Sequence, residues 1–139
     1  MIKLTASQII KFQAKLIEKT GGLAGIKDKS LIDSSLNAPF QTWDGVDLYP
    51  TTLEKIIRIG YNLIRNHCFA DGNKRIGMYA MLILLELNQF EIELSDEDII
   101  FMGINVASGE MSYEELIKYI CGESSSHDKN SSNGENSQL

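Results

Sequence analysis

The spacing of apolar and polar positions predicts a helix close to the start of the chain. From residue 5 to about residue 19 the apolar side chains recur every three or four positions and so share one helix face, namely Ile9, Ile10, Phe12, Leu16 and Ile17. Thr5 or Ser7 can cap this helix, and Gly21-Gly22 ends it. Residues 1–4 can form a short strand before it.

Two more helices are predicted before residue 67. Asp28 is a plausible N-cap for a short helix through Leu36, which Pro39 prevents from continuing. A longer helix follows a threonine cap at position 51 or 52 and delivers His67 at its C-terminal end. Its residues at helical spacing are Leu53, Ile56, Ile57, Gly60, Leu63 and Ile64.

A hairpin is predicted between these two helices, because Asp44-Gly45 is a strong signal for a two-residue turn. The flanking segments are Gln41-Thr42-Trp43 and Val46-Asp47-Leu48-Tyr49. An exposed hairpin edge can accept an extended peptide by strand addition. The alternative is an ordinary hairpin whose Trp43 merely pins it to the core.

The most apolar stretch of the chain covers residues 76–87. Its apolar side chains lie nearly all round a helix, and a helix of that composition is buried on every side. We therefore predict a central helix through the core from residue 73 to about residue 88. Its N-terminus falls at Gly72-Asn73-Lys74.

The region after the central helix contains three shorter predicted elements. Residues 91–94 alternate polar and apolar side chains like a short strand. Ser95 caps a helix through about Ala107, with acidic residues in its first turn, where the helix dipole favours them. Ser112 begins a capping box for a last helix that ends near Ile120.

These elements predict a mainly α fold of about six helices around a buried central helix, with one small β-hairpin. At 139 residues the chain has the length of a single domain, which we assign to residues 1–121. Residues 122–139 are almost entirely polar and cannot bury enough apolar surface to order themselves. A disordered polar tail is therefore predicted.

Composition and charge exclude several classes of function. A net charge of −6 and a pI near 4.9 argue against direct DNA binding, since such proteins carry a basic face. No apolar run is long enough to span a bilayer, and no signal-peptide core follows Met1, so we expect no membrane association. The only cysteines, Cys68 and Cys121, are typical of reduced thiols in a cytoplasmic protein. Only two histidines are present, so no zinc site is expected.

Polar side chains are concentrated immediately before the central helix, between His67 and Arg75. The first N–H groups of a helix lack internal partners and, together with the helix dipole, favour a phosphate group. Lys74 and Arg75 add full positive charges, and the guanidinium fork suits phosphate oxygens. Asp71 is a hard oxygen ligand of the kind that Mg2+ takes alongside substrate phosphates. Because an imidazole titrates near neutral pH in water, His67 is the natural general base.

Each of these residues has a structural alternative when it is taken alone. His67 can be a helix C-cap group, Asp71-Gly72 a common turn, and Asn73 only an N-cap. Cys68 is either a nucleophile or a small filler beside Phe69, and Phe69 is an apolar anchor for the loop. Taken together, the order and spacing of these residues before a buried helix favour a phosphate-handling site.

The run His67-Cys68-Phe69-Ala70-Asp71-Gly72-Asn73-Lys74-Arg75 resembles the signature of the Fic/Doc family, and most closely its Doc (death-on-curing) toxin branch. The general Fic pattern reads His-Pro-Phe-X-Asp/Glu-Gly-Asn-Gly-Arg-X-X-Arg. This sequence has Cys68 in place of Pro, Lys74 in place of the second Gly, as in Doc, and Met78 where AMP-transferring Fic enzymes carry a second Arg. The resemblance is sharp over residues 66–77 and looser from residue 5 to about residue 120. It implies that Cys68 has no chemical role.

The resemblance implies a Fic/Doc-type helical bundle and an enzyme that uses ATP and Mg2+. Doc-type proteins transfer the terminal phosphate of ATP to a Ser/Thr hydroxyl of elongation factor Tu, which arrests translation. Lys74 and Met78 favour this kinase activity, with Fic-type AMP transfer to a protein hydroxyl as the alternative. A degenerate, non-catalytic antitoxin-binding module is a second alternative, against which the intact motif argues.

Roles for individual residues follow from the residue chemistry and the resemblance together. The expected catalytic residues are His67, Lys74 and Arg75, and the expected metal ligand is Asp71. The expected nucleotide- and phosphate-binding residues are Gly72, Asn73, Lys74 and Arg75. The resemblance also implies a flap that positions the target, carried over to Gln41, Thr42, Trp43, Val46, Asp47 and Leu48.

The resemblance further implies a Phd-type antitoxin whose C-terminal segment binds in trans as a helix. Many Fic proteins instead carry an inhibitory Ser/Thr-X-X-X-Glu-Gly/Asn helix, and residues 131–136 match that pattern. The inhibitory Glu normally pairs with the second Arg, which is Met78 here, and Gly134 is a poor helix former. We therefore interpret this match as chance.

Overall fold

The computed structural model describes residues 1–122, which fold into six α-helices, one 3-10 turn (Ala38–Phe40) and one two-stranded hairpin. The helices are α1 (Ala6–Thr20), α2 (Lys29–Asn37), α3 (Thr52–Arg65), α4 (Asn73–Leu87), α5 (Asp96–Ser108) and α6 (Tyr113–Cys121), and the strands are β1 (Thr42–Trp43) and β2 (Val46–Asp47). The predicted mainly helical fold with a small hairpin is therefore confirmed. The predicted tail beyond residue 122, including residues 131–136, lies outside the described residues.

The helices begin at the capping residues that the sequence supplies. A reciprocal capping box starts four of them, at Thr5, Thr51, Ser95 and Ser112. The carboxylate of Asp28 accepts the N–H of Ser30 at the start of α2. Each cap satisfies N–H groups that a helix start otherwise leaves unpaired. These local interactions explain why the predicted helix starts are confirmed.

The central helix is α4, which packs against α1, α3 and α5. α4 packs tightly against α3 where Gly77 faces Gly60. A Cβ atom at Gly77 would lie 2.4 Å from Cγ1 of Ile64 and 3.0 Å from the carbonyl oxygen of Gly60. The prediction that α4 is buried on every side is wrong along one edge. There Tyr79 is 44% exposed and packs edge-on against the ring of Phe12.

Neither of the two isolated strands predicted from the sequence forms within residues 1–122. Near the N-terminus, the N–H and the carbonyl of Ile2 bond to the side-chain amide of Asn88. A side chain therefore takes the place of a neighbouring strand. Residues 91–94 also lack a strand partner, because the sheet in the described part of the chain consists of β1 and β2 alone. An alternating segment does not form a sheet by itself.

The predicted hairpin is confirmed, with Thr42 opposite Asp47 and Trp43 opposite Val46. Both turn residues, Asp44-Gly45, have the positive φ that a two-residue hairpin turn requires, at 54° and 78°. The alternative in which Trp43 pins the hairpin to the core is wrong, because Trp43 is 77% exposed. The hairpin is instead tied to α3 by an ion pair of 3.5 Å between Asp47 and Lys55.

Candidate active site

The loop between α3 and α4 carries the candidate active site. α3 ends at Arg65 with Asn66 as its C-cap, and His67 then adopts a left-handed conformation with φ 50°, which is uncommon for a residue other than glycine. Gly72, the N-cap of α4, is also left-handed, with φ 77°. These two reversals define a compact loop, so that His67 and the first turn of α4 line the same pocket.

Buried side chains and backbone hydrogen bonds fix this loop. Phe69 is 1% exposed, which confirms its predicted role as an apolar anchor. The N–H groups of Lys27 and Asp28 both donate to the carbonyl of Cys68, at 2.9 and 3.2 Å. Ala70 donates to the carbonyl of Gly25 at 3.1 Å. The glycine-containing segment after α1 therefore runs alongside the loop and holds its backbone.

A buried polar cluster lies beneath the loop. The hydroxyl of Ser35 accepts a hydrogen bond from Asn66 Nδ2 at 2.8 Å and lies 3.7 Å from the sulfur of Cys68. Asn62 Nδ2 donates to the carbonyl of Ser35 at 3.4 Å. Burial raises the pKa of the Cys68 thiol. A fully buried thiol with a raised pKa is a poor nucleophile, which agrees with a filler role for Cys68.

The carboxylate of Asp71 is held from two sides by backbone amides. Oδ1 accepts the N–H of Gly72 at 2.8 Å, and Oδ2 accepts the N–H of Leu23 at 3.2 Å. These two hydrogen bonds, that of Gly72 first, hold the pKa of the Asp71 carboxyl below its ordinary value, with a further contribution from the charge of Arg75. Asp71 is therefore a fixed, ionised carboxylate. A Cβ atom on Gly22 would lie only 2.5 Å from Oδ2, so the segment after α1 requires glycine here.

The two basic residues of the motif lie in different surroundings. Nη1 of Arg75 donates to the hydroxyl of Thr20 and, at 3.3 Å, to the carbonyl of Gly21 at the end of α1. Nη2 lies 3.9 Å from Oδ1 of Asp71. Lys74 is exposed and makes no ion pair or hydrogen bond through its side chain within the described residues. Its ammonium group is therefore available to an anion in the pocket.

The start of α4 offers unpaired backbone donors. Gly72 provides no side-chain cap. Among residues 1–122, no partner occurs for the N–H groups of Asn73, Lys74 and Arg75. The side-chain amide of Asn73 is already engaged with the backbone of Phe69, through Oδ1 at 3.0 Å and Nδ2 at 3.1 Å. Asn73 therefore offers its backbone N–H and one remaining Nδ2 hydrogen.

These groups surround one pocket of about 300 Å³, at the lower end of the size range of ligand pockets. Its lining residues are Ile64, His67, Ala70, Asp71, Gly72, Asn73, Lys74, Arg75 and Ala107. The structure thus brings together every motif residue predicted to be catalytic, phosphate-binding or metal-binding. Met78 is not among them, because it is 3% exposed and packs toward Gly103 on α5.

The donor set fits Mg2+ bound jointly with a nucleotide. Within the described residues no group of three or more His, Cys, Asp or Glu side chains is placed to hold a metal. A single carboxylate such as Asp71 is what Mg2+ uses when phosphates and water complete its coordination. The unpaired N–H groups and Lys74 suit the phosphates themselves.

In the part of the chain that the structure describes, no helix is both long and apolar enough to cross a membrane.

The predicted flap residues are exposed and form no part of this pocket. Asp47 faces Lys55, whereas Trp43, Val46 and Leu48 are largely solvent-exposed. Trp43 and Val46 form a directly opposed pair and so share one face of the hairpin. That face has no apolar cover within residues 1–122.

Sequence reasoning missed the contribution of α1 and of the segment after it to the site. Gln13 donates to the main-chain carbonyl of Asp71 at 3.1 Å, Leu23 holds the Asp71 carboxylate, and Thr20 holds Arg75. The one local signal was Gln13, a polar residue among the apolar positions of the α1 face. Nothing in the local sequence marks Thr20 or Leu23.

Two comparisons with known proteins bear on this site. The family model described as Fic/DOC family matches residues 3–85, which include the whole loop and most of α4. A curated protein of Mycolicibacterium smegmatis named Toxin Doc is 35% identical over 72 residues. That match covers 52% of this chain and 55% of the relative, so the chain spans about half the length of the curated relative.

Proposed function

This chain belongs to the Fic/Doc family, and we propose that it is a Doc-like toxin that transfers the terminal phosphate of ATP to a Ser/Thr hydroxyl of a translation protein. The proposed target is elongation factor Tu, and the proposed outcome is arrest of translation. One observation carries the proposal. A candidate base (His67), a fixed carboxylate (Asp71) and an uncapped helix N-terminus with an unpaired lysine share one pocket. Phosphoryl transfer needs little more than such positioning and electrostatics.

In this proposal His67 acts as the general base. The imidazole lines the pocket, and its side chain has no hydrogen-bond partner within residues 1–122. It accepts the proton of the target hydroxyl while the hydroxyl oxygen bonds to the terminal phosphorus. The bond from that phosphorus to the bridging oxygen breaks, and ADP leaves with the bond electrons.

The other motif residues bind and neutralise charge. Mg-ATP, when bound, would supply the phosphoryl group and a divalent cation that offsets negative charge on the phosphates. Asp71 would provide the protein oxygen for Mg2+, and the N–H groups of the first α4 turn would donate to phosphate oxygens. Lys74 stabilises the negative charge that develops during transfer, and Arg75 contributes from the pocket edge.

The surroundings of Met78 support phosphate transfer over AMP transfer. The position at which AMP-transferring Fic enzymes carry a second Arg is here a thioether that is 3% exposed and packed toward α5. A cation for the far end of ATP is therefore not provided from this position. Lys74, on the same helix face one turn earlier, lines the pocket, as does Arg75.

Partner proteins belong to the same proposal. The relative named Toxin Doc supports an antitoxin partner, which we propose to be of the Phd type and to bind in trans through its C-terminal segment. The exposed hairpin edge is the proposed positioning element for the target segment, from Gln41 to Leu48.

The deciding experiment incubates the purified protein with Mg-ATP and elongation factor Tu and measures the intact mass of the target. We expect a gain of one phosphate that is lost in His67→Asn. Asn tolerates the left-handed conformation at this position, so this variant removes the base while retaining the backbone. The rate should fall by ~10²–10⁴-fold. A gain of AMP would instead indicate Fic-type transfer, and an unmodified target would overturn elongation factor Tu as the substrate.

A further inference from the structure

Gln13 is a buried polar side chain to which the proposed reaction assigns no role. It is 2% exposed and lies on the buried face of α1. On that face Ile9 lies one turn before Gln13, and Ile17 lies one turn after it. A buried amide costs free energy unless it is hydrogen-bonded, and an apolar side chain would fill this position without that cost. Within residues 1–122 its side chain makes one hydrogen bond, from Nε2 to the main-chain carbonyl of Asp71 at 3.1 Å.

That carbonyl belongs to the peptide group that joins Asp71 to Gly72. The N–H of the same peptide group donates to Oδ1 of Asp71 at 2.8 Å. Gln13 and the Asp71 carboxylate therefore hold opposite edges of one peptide plane. Glycine adopts positive and negative φ with similar ease, so Gly72 alone does not fix the orientation of this plane.

We propose that Gln13 is a positioning residue that selects this peptide orientation and thereby aims the Asp71 carboxylate and the first turn of α4 at Mg2+ and phosphate. Without the Gln13 donor, the peptide group can rotate and its N–H leaves Oδ1 of Asp71. The carboxylate then loses one of the two amides that fix it. Residues that orient a metal ligand from outside its coordination shell typically change metal affinity by ~10–100-fold. The identity of the ligand rests on the proposed function, whereas the hold on the peptide group does not.

Two variants of Gln13 and one matched control test this role. Gln13→Met keeps the approximate volume and suits the apolar face, but it removes the donor. Gln13→Glu keeps the shape and places a second acceptor against the Asp71 carbonyl. Ile9→Met, at the buried position one turn earlier on the same helix, introduces the same side chain away from the loop.

The first measurement needs no ligand. Amide hydrogen exchange of Gly72, read by NMR, reports the hydrogen bond to Asp71 directly. The second measurement is the ATP affinity, determined by calorimetry once with Mg2+ and once with a chelator. The ratio of the two affinities is the Mg2+ enhancement of ATP binding. In both Gln13 variants we expect the amide of Gly72 to lose its protection against hydrogen exchange. We also expect the factor by which Mg2+ increases the ATP affinity to fall about tenfold. Ile9→Met should change neither quantity.

The outcomes separate this inference from the proposed function. Folded Gln13 variants with wild-type exchange at Gly72 and a wild-type Mg2+ ratio would overturn the positioning role. Equal losses in Ile9→Met, or unfolding of both Gln13 variants, would overturn it too, because Gln13 would then contribute only to packing. If the wild-type protein shows no Mg2+-dependent ATP binding, the proposed function fails, yet exchange at Gly72 still decides whether Gln13 holds the peptide group.

Discussion

The side-chain amide of Asn73 holds both backbone polar groups of Phe69. Oδ1 accepts the N–H of Phe69 at 3.0 Å, and Nδ2 donates to its carbonyl at 3.1 Å. The first residue of α4 is thereby joined to the loop that carries His67. Asn73 consequently clamps the loop through its side chain, and its backbone N–H remains for the proposed anion site.

Replacing Asn73 with Asp should separate folding from nucleotide binding. The carboxylate can still accept the N–H of Phe69, but it has no hydrogen to donate to the Phe69 carbonyl. A negative charge at a helix N-terminus favours the helix, so we expect little change in the thermal midpoint. The same charge repels phosphate, and the ATP affinity should fall at least ~10-fold, since like charges near 4 Å repel by ~4 kcal/mol at an effective dielectric constant of 20.

The same substitution at the opposite end of α4 is the matched control. Asn88 follows the last residue of α4 and bonds to Ile2 and to the carbonyl of Leu84. Asn88→Asp places a negative charge at a helix C-terminus, where the dipole disfavours it. We expect a lower thermal midpoint and an unchanged ATP affinity. Equal losses of ATP affinity in Asn73→Asp and Asn88→Asp would contradict the anion site at the start of α4.

The carboxyl of Asp71 should contribute to the acid sensitivity of the fold. The N–H groups of Gly72 and then Leu23 lower its pKa in the folded state, whereas an unfolded Asp titrates near pH 3.9. A depressed folded pKa adds stability above about pH 4, and this stability is lost as the pH falls through the folded pKa. Asp71→Asn should therefore be less stable than wild type near neutral pH, and the difference should shrink below about pH 4.

Thermal unfolding across this pH range measures the effect. Glu93→Gln is the control, because Glu93 is an exposed carboxylate in the loop before α5. A stability difference between wild type and Asp71→Asn that stays constant from neutral to acid pH would show that the two amides do not favour the ionised form.

Most of the fold could be predicted because its signals are local. Thr51 and Glu54 form their capping box within one turn, and the apolar spacing of α3 lies within 14 residues. The strands predicted at residues 1–4 and 91–94 failed because pairing depends on a distant partner, and Asn88 supplied a side chain instead. Local pattern identifies a segment able to form a strand, but it does not identify its neighbour.

The residues of the candidate site also fall into two groups, those that the local sequence identifies and those that only the fold brings to the site. His67 to Arg75 are contiguous, so a joint role for them could be predicted before the fold was known. The groups that orient them come from α1 and the segment after it, since Gln13 lies 58 positions before Asp71 and Thr20 lies 55 positions before Arg75. Only the three-dimensional packing of α1 against α4 reveals those contacts.

Two helical glycines should respond in opposite directions to the same substitution. At Gly77 a Cβ atom would lie 2.4 Å from Cγ1 of Ile64, so Gly77→Ala overpacks the α3–α4 crossing and should cost ~1–3 kcal/mol of stability. At Gly103 the nearest atom, Cγ of Met78, is at 3.4 Å, an ordinary contact. Gly103→Ala should therefore be tolerated and can gain up to ~1 kcal/mol from helix propensity.

Chemical denaturation of both variants measures the difference. An equal and small effect at the two positions would show that α3 and α4 are not in close contact at Gly77. Ile64 lines the pocket, and the overpacking of Gly77→Ala displaces its side chain. We therefore expect this variant also to weaken ATP binding.

The two cysteines should differ sharply in their reaction with an alkylating agent. Cys68 is fully buried beside Ser35, and burial raises the pKa of its thiol, whereas Cys121 is exposed at the end of α6. Since the thiolate is the reactive form, iodoacetamide should modify Cys121 in the native protein and reach Cys68 only after denaturation. Peptide mass mapping distinguishes the two sites.

The same burial predicts that Cys68 takes no part in catalysis. Cys68→Ala removes the thiol and leaves a small cavity beside Ser35, which should cost stability but retain phosphate transfer. Cys121→Ala is the control for the exposed thiol. Transfer abolished in Cys68→Ala at a temperature where that variant is folded would make the thiol a participant, and the general base assigned to His67 would then have to be reassigned. Retained transfer, with loss only in His67→Asn, leaves the imidazole as the base.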